Sequence, residues 1–175
     1  MGGLGSRKDG KNAKKTYSRE VFVKAKLEKV KRILKMSGQT IEDKLSHKVI
    51  GVALEIHRDL GPGLLESVYE AVLFAELQKI GLKVERQKSF PLEYKGTRFE
   101  EAFRVDLLVE GKVVLEIKSV ESLNNSHKKQ VLTYLRCMGL RLGLLLNFGE
   151  ATLQQGITRV VNGLPETKVP PTLRS

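Results

Sequence analysis

The chain has 175 residues, 41% of them hydrophobic and 29% charged, the make-up of a globular protein with one core and residues over for an extension. It holds no apolar run long enough to cross a membrane, and a single cysteine, Cys137, which excludes an internal disulfide and a cysteine-held metal cluster and points to a reducing, cytoplasmic setting. The net charge of +11 is uneven: the first 35 residues hold 12 Lys/Arg against 3 Asp/Glu, whereas the other 140 hold 19 against 17.

In chain order, residues 1–17 are rich in Gly, Lys and Ser and are expected to be disordered. They lack the apolar stretch of a secretory signal, although Gly2 and Ser6 fit the short M-G-x-x-x-S pattern of N-myristoylation. Residues 18–36 have helical periodicity, with Val21, Ala25, Leu27, Val30 and Leu34 on one broad face and lysines over the rest. Residues 1–39 thus read as a basic arm, either a holder of polyanions or a solvated tail. A domain over 40–164 then opens on Thr40, an N-cap with Asp43 three residues on, and a helix carrying Ile41, Leu45, Val49, Val52, Ala53, Ile56 and Leu60. Gly61-Pro62-Gly63 stops it. LLESVYEAVLFAELQKIG gives a second helix, apolar on most sides and therefore expected to be buried.

The period then changes to two. KVERQKSFPLEYKG and TRFEEAFRVDLLVE read as strands turned at Lys95-Gly96, and VVLEIKSV as a third after Glu110-Gly111-Lys112. NNSHKKQVLTYLRCMGL returns to helix, capped by Asn124 or Asn125 and closed by Gly139. RLGLLLNFG suits a buried strand, ITRVVNGL adds one more, and the proline-rich tail 165–175 reads as disordered. The order α-α-β-β-β-α-β predicts an α/β fold of the mixed α+β kind, a mixed sheet flanked by helices.

The chemistry-bearing residues are Asp106, Glu116 and Lys118. Strict alternation would put Phe103, Val105, Leu107 and Val109 on one face of their strand and Arg104, Asp106 and Leu108 on the other. A two-residue loop at Glu110-Gly111 would set Asp106 against Leu115 and point the two acids to opposite sides; a three-residue loop or a bulge sets them together, and Gly111 suits either. Paired carboxylates raise each other's pKa unless a cation lies between them, and a hard divalent ion such as Mg²⁺, or Mn²⁺, fits oxygen ligands. The backbone carbonyl of Ile117 could add a ligand, and Lys118 could orient or deprotonate a water and stabilise charge on a phosphate. The alternative is a plain strand face with a cross-strand ion pair. Apolar neighbours such as Leu107, Val114, Leu115 and Ile117 speak against it, since ionisable groups in buried strands need a reason.

Gly63, Glu66 and Tyr69 form G-x-x-E-x-x-Y at the second helix, where Glu66 and Tyr69 share a face. Glu66 could equally be a first-turn acid favoured by the helix dipole, and Tyr69 a packed core ring. His127, Gln130 and Tyr134 can line one face of the third helix while Val131, Leu135 and Met138 turn to the core; a solvated polar face is the other reading.

Four segments in this order, GPGLLESVYE, RVDLLVEGKVVLEIKSVESL, HKKQVLTYL and LGLLLNFG, carry a resemblance. The chain resembles the GxxExxY proteins, a bacterial branch of the PD-(D/E)XK nuclease superfamily, over residues 41–164. The resemblance implies a restriction-endonuclease-like αβββαβ core. Asp106 and Glu116 would bind Mg²⁺, Lys118 would be the catalytic lysine, Glu66 would complete the site, and Gln130 with Tyr134 would match the Q-x-x-x-Y element of RecB-like nucleases. Val105 stands where the pattern has proline, and the cysteines that hold iron–sulfur clusters in some relatives are absent, so no such cluster is expected.

The leading functional reading is a Mg²⁺-dependent nuclease acting on DNA. A catalytically weak or inactive nucleic-acid-binding module is the alternative, and a protein-interaction or homodimerising domain the third. The near-neutral charge of residues 36–175 counts against tight binding of nucleic acid by that part alone.

Overall fold

The computed structural model describes residues 40–164. The helix expected over 18–36, the basic arm and the tail from 165 lie outside the described residues. Helix α1 spans Ile41–Leu60 and begins in a full capping box: the Thr40 hydroxyl accepts from the Asp43 N–H, and the Asp43 carboxylate accepts from the Thr40 N–H. Gly61, at φ +68°, ends it. Helix α2 spans Glu66–Lys79. Strands β1 (Val84–Tyr94), β2 (Thr97–Val109) and β3 (Val113–Lys118) follow as antiparallel neighbours. Helix α3 (Asn125–Met138), capped by Asn124 and stopped by left-handed Gly139, crosses over to β4 (Leu142–Asn147), which runs parallel to β3. A single turn, α4 (Leu153–Gly156), leads into β5 (Ile157–Val161), antiparallel on the far edge. The strand order is β1-β2-β3-β4-β5. The expected mixed sheet flanked by helices is what forms.

Two apolar layers sandwich the sheet. On one side α1 and α2 bury Val49, Ala53, Leu73 and Leu77 against Leu107, Val109, Leu115, Ile117 and Leu144. On the other, Val131 and Leu135 of α3 meet Leu108, Val114 and Leu145. The alternate residues of β3 thus face opposite layers, and both faces of the central strands are shielded, as parallel pairing favours. No helix among the described residues is long and apolar enough to cross a membrane.

Two expectations need correction. Helix α2 is not buried all round: Tyr69, Glu70, Leu73 and Leu77 form one buried stripe, while Leu64, Leu65 and Val68 at its start stay exposed. One sheet covers one face of a helix, whatever lies on the others. Strict alternation also fails along β2. Phe103 and Val105 pack in the α3 layer, but Leu107 and Val109 pack in the opposite one. The ladder with β1 omits the pair Gln87/Asp106, and Gln87 takes a left-handed backbone at φ +49°. The strand therefore changes face at Asp106.

Candidate metal centre at the parting of β2 and β3

The loop between β2 and β3 decides whether the acids can meet. Leu107 pairs with Leu115, Leu108 with Val114 and Val109 with Val113, leaving the three-residue loop Glu110-Gly111-Lys112. Its first two residues are left-handed, at φ +52° and +61°, and the Glu110 carboxylate accepts from the Lys83 N–H at 2.7 Å, which steadies the turn. That register sets Asp106 across from Glu116. The ladder does not continue there. The Asp106 carboxylate takes the place of a backbone carbonyl, accepting from the Ile117 N–H at 2.8 Å, and the strands part around it.

Glu116 is buried, and its Oε1 accepts from the Lys118 ammonium at 2.9 Å. Its other oxygen, Oε2, has no hydrogen-bond partner, the one buried side-chain atom in that condition among the described residues. Burial pushes the Glu116 carboxyl above the usual carboxylate range, and the charge of Asp106 pushes the same way, against Lys118. Burial likewise raises Asp106, opposed by the Ile117 N–H and by Lys118. Burial works to lower Lys118, but the hydrogen bond and charge of Glu116, with Glu66 and Asp106, outweigh it and hold the ammonium protonated.

Helix α2 brings the third acid. Glu66 opens the helix, is exposed, and accepts from the Ser119 N–H at 3.1 Å; the Ser119 hydroxyl donates to the Leu64 carbonyl at 2.7 Å. The end of β3 is thereby tied to the start of α2. Tyr69 does different work from Glu66. Its hydroxyl donates to the Gly61 carbonyl at 2.5 Å and accepts from the Leu64 N–H at 3.2 Å, and its ring stacks on Phe148 at 4.4 Å, so it holds the Gly61-Pro62-Gly63 loop in shape. An open cleft of about 900 Å³ lies here, lined by Pro62, Gly63, Glu66, Glu70, Gln87, Arg104 and Asp106.

Helix α3 places the remaining residues apart from this network. Gln130 donates to the Tyr134 hydroxyl at 2.8 Å, and Tyr134 stacks on Phe103 at 4.7 Å. Both are half-buried on the α3 side of the sheet, the side to which Val114 and hence Glu116 point. At the start of the same helix, the His127 Nδ1 accepts from the Asn124 N–H in the capping box of α3.

Two residues escaped the sequence reading. Glu70, buried in α2, accepts from Arg86 Nε and Gln87 Nε2, both at 2.6 Å, and the same Gln87 amide reaches Asp106 at 3.3 Å. Glu70 had a signal, a lone acid in an otherwise apolar stretch of helix. Gln87 had none, because glutamine does not announce a left-handed kink.

A family model described as the PD-(D/E)XK nuclease superfamily matches residues 43–160. The chain belongs to the PD-(D/E)XK nuclease superfamily. No curated protein matches it. The donors fit the hard divalent cation such nucleases typically use: two carboxylates held at raised pKa, one with an empty buried oxygen, both oxygen ligands. Among the described residues no three His, Cys, Asp or Glu side chains converge as a metal-binding group. Two carboxylates with a backbone carbonyl and waters still suffice for a small ion that keeps much of its hydration.

Proposed function

We propose that this PD-(D/E)XK protein is a metal-dependent nuclease that hydrolyses phosphodiester bonds in DNA, with residues 40–164 as its catalytic domain and the GxxExxY proteins as its branch. The observation that carries the reading is the meeting of Asp106, Glu116 and Lys118 where β2 and β3 part, with Glu116 Oε2 left unpartnered. Asp106, Glu116 and the Ile117 carbonyl would hold Mg²⁺ or Mn²⁺, with Glu66 at the edge of the site. The ion would polarise a phosphoryl oxygen and make a water a better nucleophile.

The rest falls to the chain. The Lys118 ammonium, whose proton the surrounding acids favour against burial, would offset the negative charge that builds on the phosphate. Asp106 is locked by the Ile117 N–H and by Gln87, so its carboxylate needs no reorganisation as the phosphate arrives. Gln130 and Tyr134 would meet substrate from the α3 side.

The test is a cleavage screen with Mg²⁺ or Mn²⁺ over single-stranded, double-stranded and branched DNA. Lys118→Ala and Asp106→Ala are each expected to lower the rate by about a thousandfold. Activity that survives both changes would locate the cutting elsewhere. The second reading, a binding module without catalysis, draws on the Lys118–Glu116 ion pair, in which the lysine already neutralises one acid. Salt-sensitive DNA binding with no cleavage under either metal would select it.

A further inference from the structure

Strand β1 breaks its own alternation beside the candidate centre. Successive side chains of a strand point to opposite faces, yet Arg86 and Gln87 both reach one carboxylate, that of Glu70. Arg86 Nε donates to its Oε1 and Gln87 Nε2 to its Oε2, both at 2.6 Å. Gln87 takes a left-handed backbone at φ +49°, and the ladder with β2 skips that one step, pairing Arg86 with Leu107 and Lys88 with Val105. Glycine adopts such a backbone without strain and glutamine does not, so what recommends glutamine here is its side chain. The same Nε2 goes on to Asp106 Oδ1 at 3.3 Å, while Asp106 Oδ2 accepts from the Ile117 N–H at 2.8 Å.

Glu70 is the odd member of its helix face. It is 6% exposed and shares the buried stripe of α2 with Leu73 and Leu77, which do the packing. Taking a carboxylate out of water is costly even when it is paired, so its presence there calls for a use. Both its oxygens are taken, which leaves it no open valence of the kind Glu116 has. What it has is polarity. A carboxylate only accepts hydrogen bonds, whereas an amide can turn either end to a neighbour. The short bond to Glu70 anchors the NH₂ end of the Gln87 amide, and that end is then what Asp106 meets.

We propose that Glu70 is a positioning residue for Asp106, acting through the Gln87 amide to fix the carboxylate that would hold the cation. That Asp106 holds a metal rests on the nuclease reading above; that Glu70 sets its orientation rests on the hydrogen bonds alone. Ile117 pins one Asp106 oxygen by a short bond, and Gln87 steers the other by a long one that leaves it lone pairs to give. Partners that orient a ligand in this way tune how well a metal is held without touching it. The device lies in α2 and β1, outside the two strands that carry the acids.

The experiment follows hydrogen exchange of the Ile117 amide by NMR in the metal-free full chain. Its acceptor is Asp106, so its protection reports how firmly that carboxylate is held. Mn²⁺ uptake without DNA, followed by electron paramagnetic resonance, is the second readout. Gln87→Gly keeps the left-handed backbone and removes the amide. Glu70→Gln keeps the shape and changes the polarity: to go on accepting from Arg86, the new amide turns its NH₂ group towards Gln87, which can answer only with its oxygen and so sets that oxygen against Asp106. In both variants Ile117 should exchange faster, and Mn²⁺ affinity should fall on the order of tenfold to a hundredfold. The Leu115 amide, in the intact part of the β2–β3 ladder, should exchange as before, which separates lost positioning from lost fold. An Ile117 amide as well protected in both variants as in wild type overturns the proposal. So does an unchanged Mn²⁺ affinity, since the held orientation would then mean nothing to the cation. If both readouts respond and the wild type still cuts no DNA, the nuclease reading falls and this one stands.

Discussion

Two buried ion pairs in this molecule are built from the same kinds of group and end in opposite states. Arg159 on β5 meets Asp43 on α1, and the second oxygen of Asp43 accepts from the Thr40 N–H and hydroxyl. Both carboxylate oxygens are used, and the pair ties the first helix to the last strand. Lys118 meets Glu116 on β3, and the second oxygen of Glu116 has nothing. The carboxyl's pKa rises because burial is not fully compensated. A closed pair joins parts of a fold. An open one keeps a binding valence available at a cost in stability, and that cost is the mark of a site.

The largest effect should come from opening the closed pair. Asp43→Ala would leave Arg159 without this carboxylate and strip the cap of α1, and is expected to cost about 3–5 kcal/mol in denaturant unfolding, with the rate per folded molecule unchanged. A loss of cleavage without a loss of stability would reverse the assignment of the two pairs. Next comes Lys118→Met, which leaves Glu116 buried with its ammonium removed. It should cost about 2–3 kcal/mol near pH 8 and less near pH 5, because a protonated Glu116 needs no counter-charge. A cost independent of pH would show that the ion pair contributes nothing. The smallest effect, of opposite sign, belongs to Glu116→Gln. Glu116 has a raised carboxyl pKa in the folded protein, so the wild type is favoured below the unfolded value and loses stability as pH rises through the folded one. The glutamine variant avoids that loss. It should melt a few degrees higher at neutral pH without metal, match wild type in acid, and cleave nothing.

Much of this was legible in the sequence because it follows from local rules. Thr40 and Asp43 announce their capping box, Asn124 and Gly139 bracket α3, and the β-branched run at Val113 marks a central strand. The three-residue loop was legible too, as the register that lets Asp106 and Glu116 share a neighbourhood. What stayed hidden depends on partners far away in the chain. The face change at Asp106 falls opposite left-handed Gln87, whose side chain bonds Glu70 and Asp106. The exposed start of α2 was hidden for a related reason: composition says which residues are apolar but not how wide a surface will arrive to cover them. Tyr69 was legible as a core ring, yet its hydroxyl, which latches the loop at Gly61, was not.

The turn at Glu110-Gly111-Lys112 has a consequence for how such a chain can drift. Its side chains are exposed and line no part of the cleft, so apart from the Glu110 carboxylate that accepts from the Lys83 N–H, substitutions there should be widely tolerated where left-handed backbone allows. Its length is another matter. Any change in length must be absorbed within the loop, because a one-residue slip of β3 against β2 would swap Glu116 and Lys118 with Leu115 and Ile117. The interval between the two acids is in that sense a ruler, and a lineage can rewrite its markings freely so long as the pairing it measures stays in step.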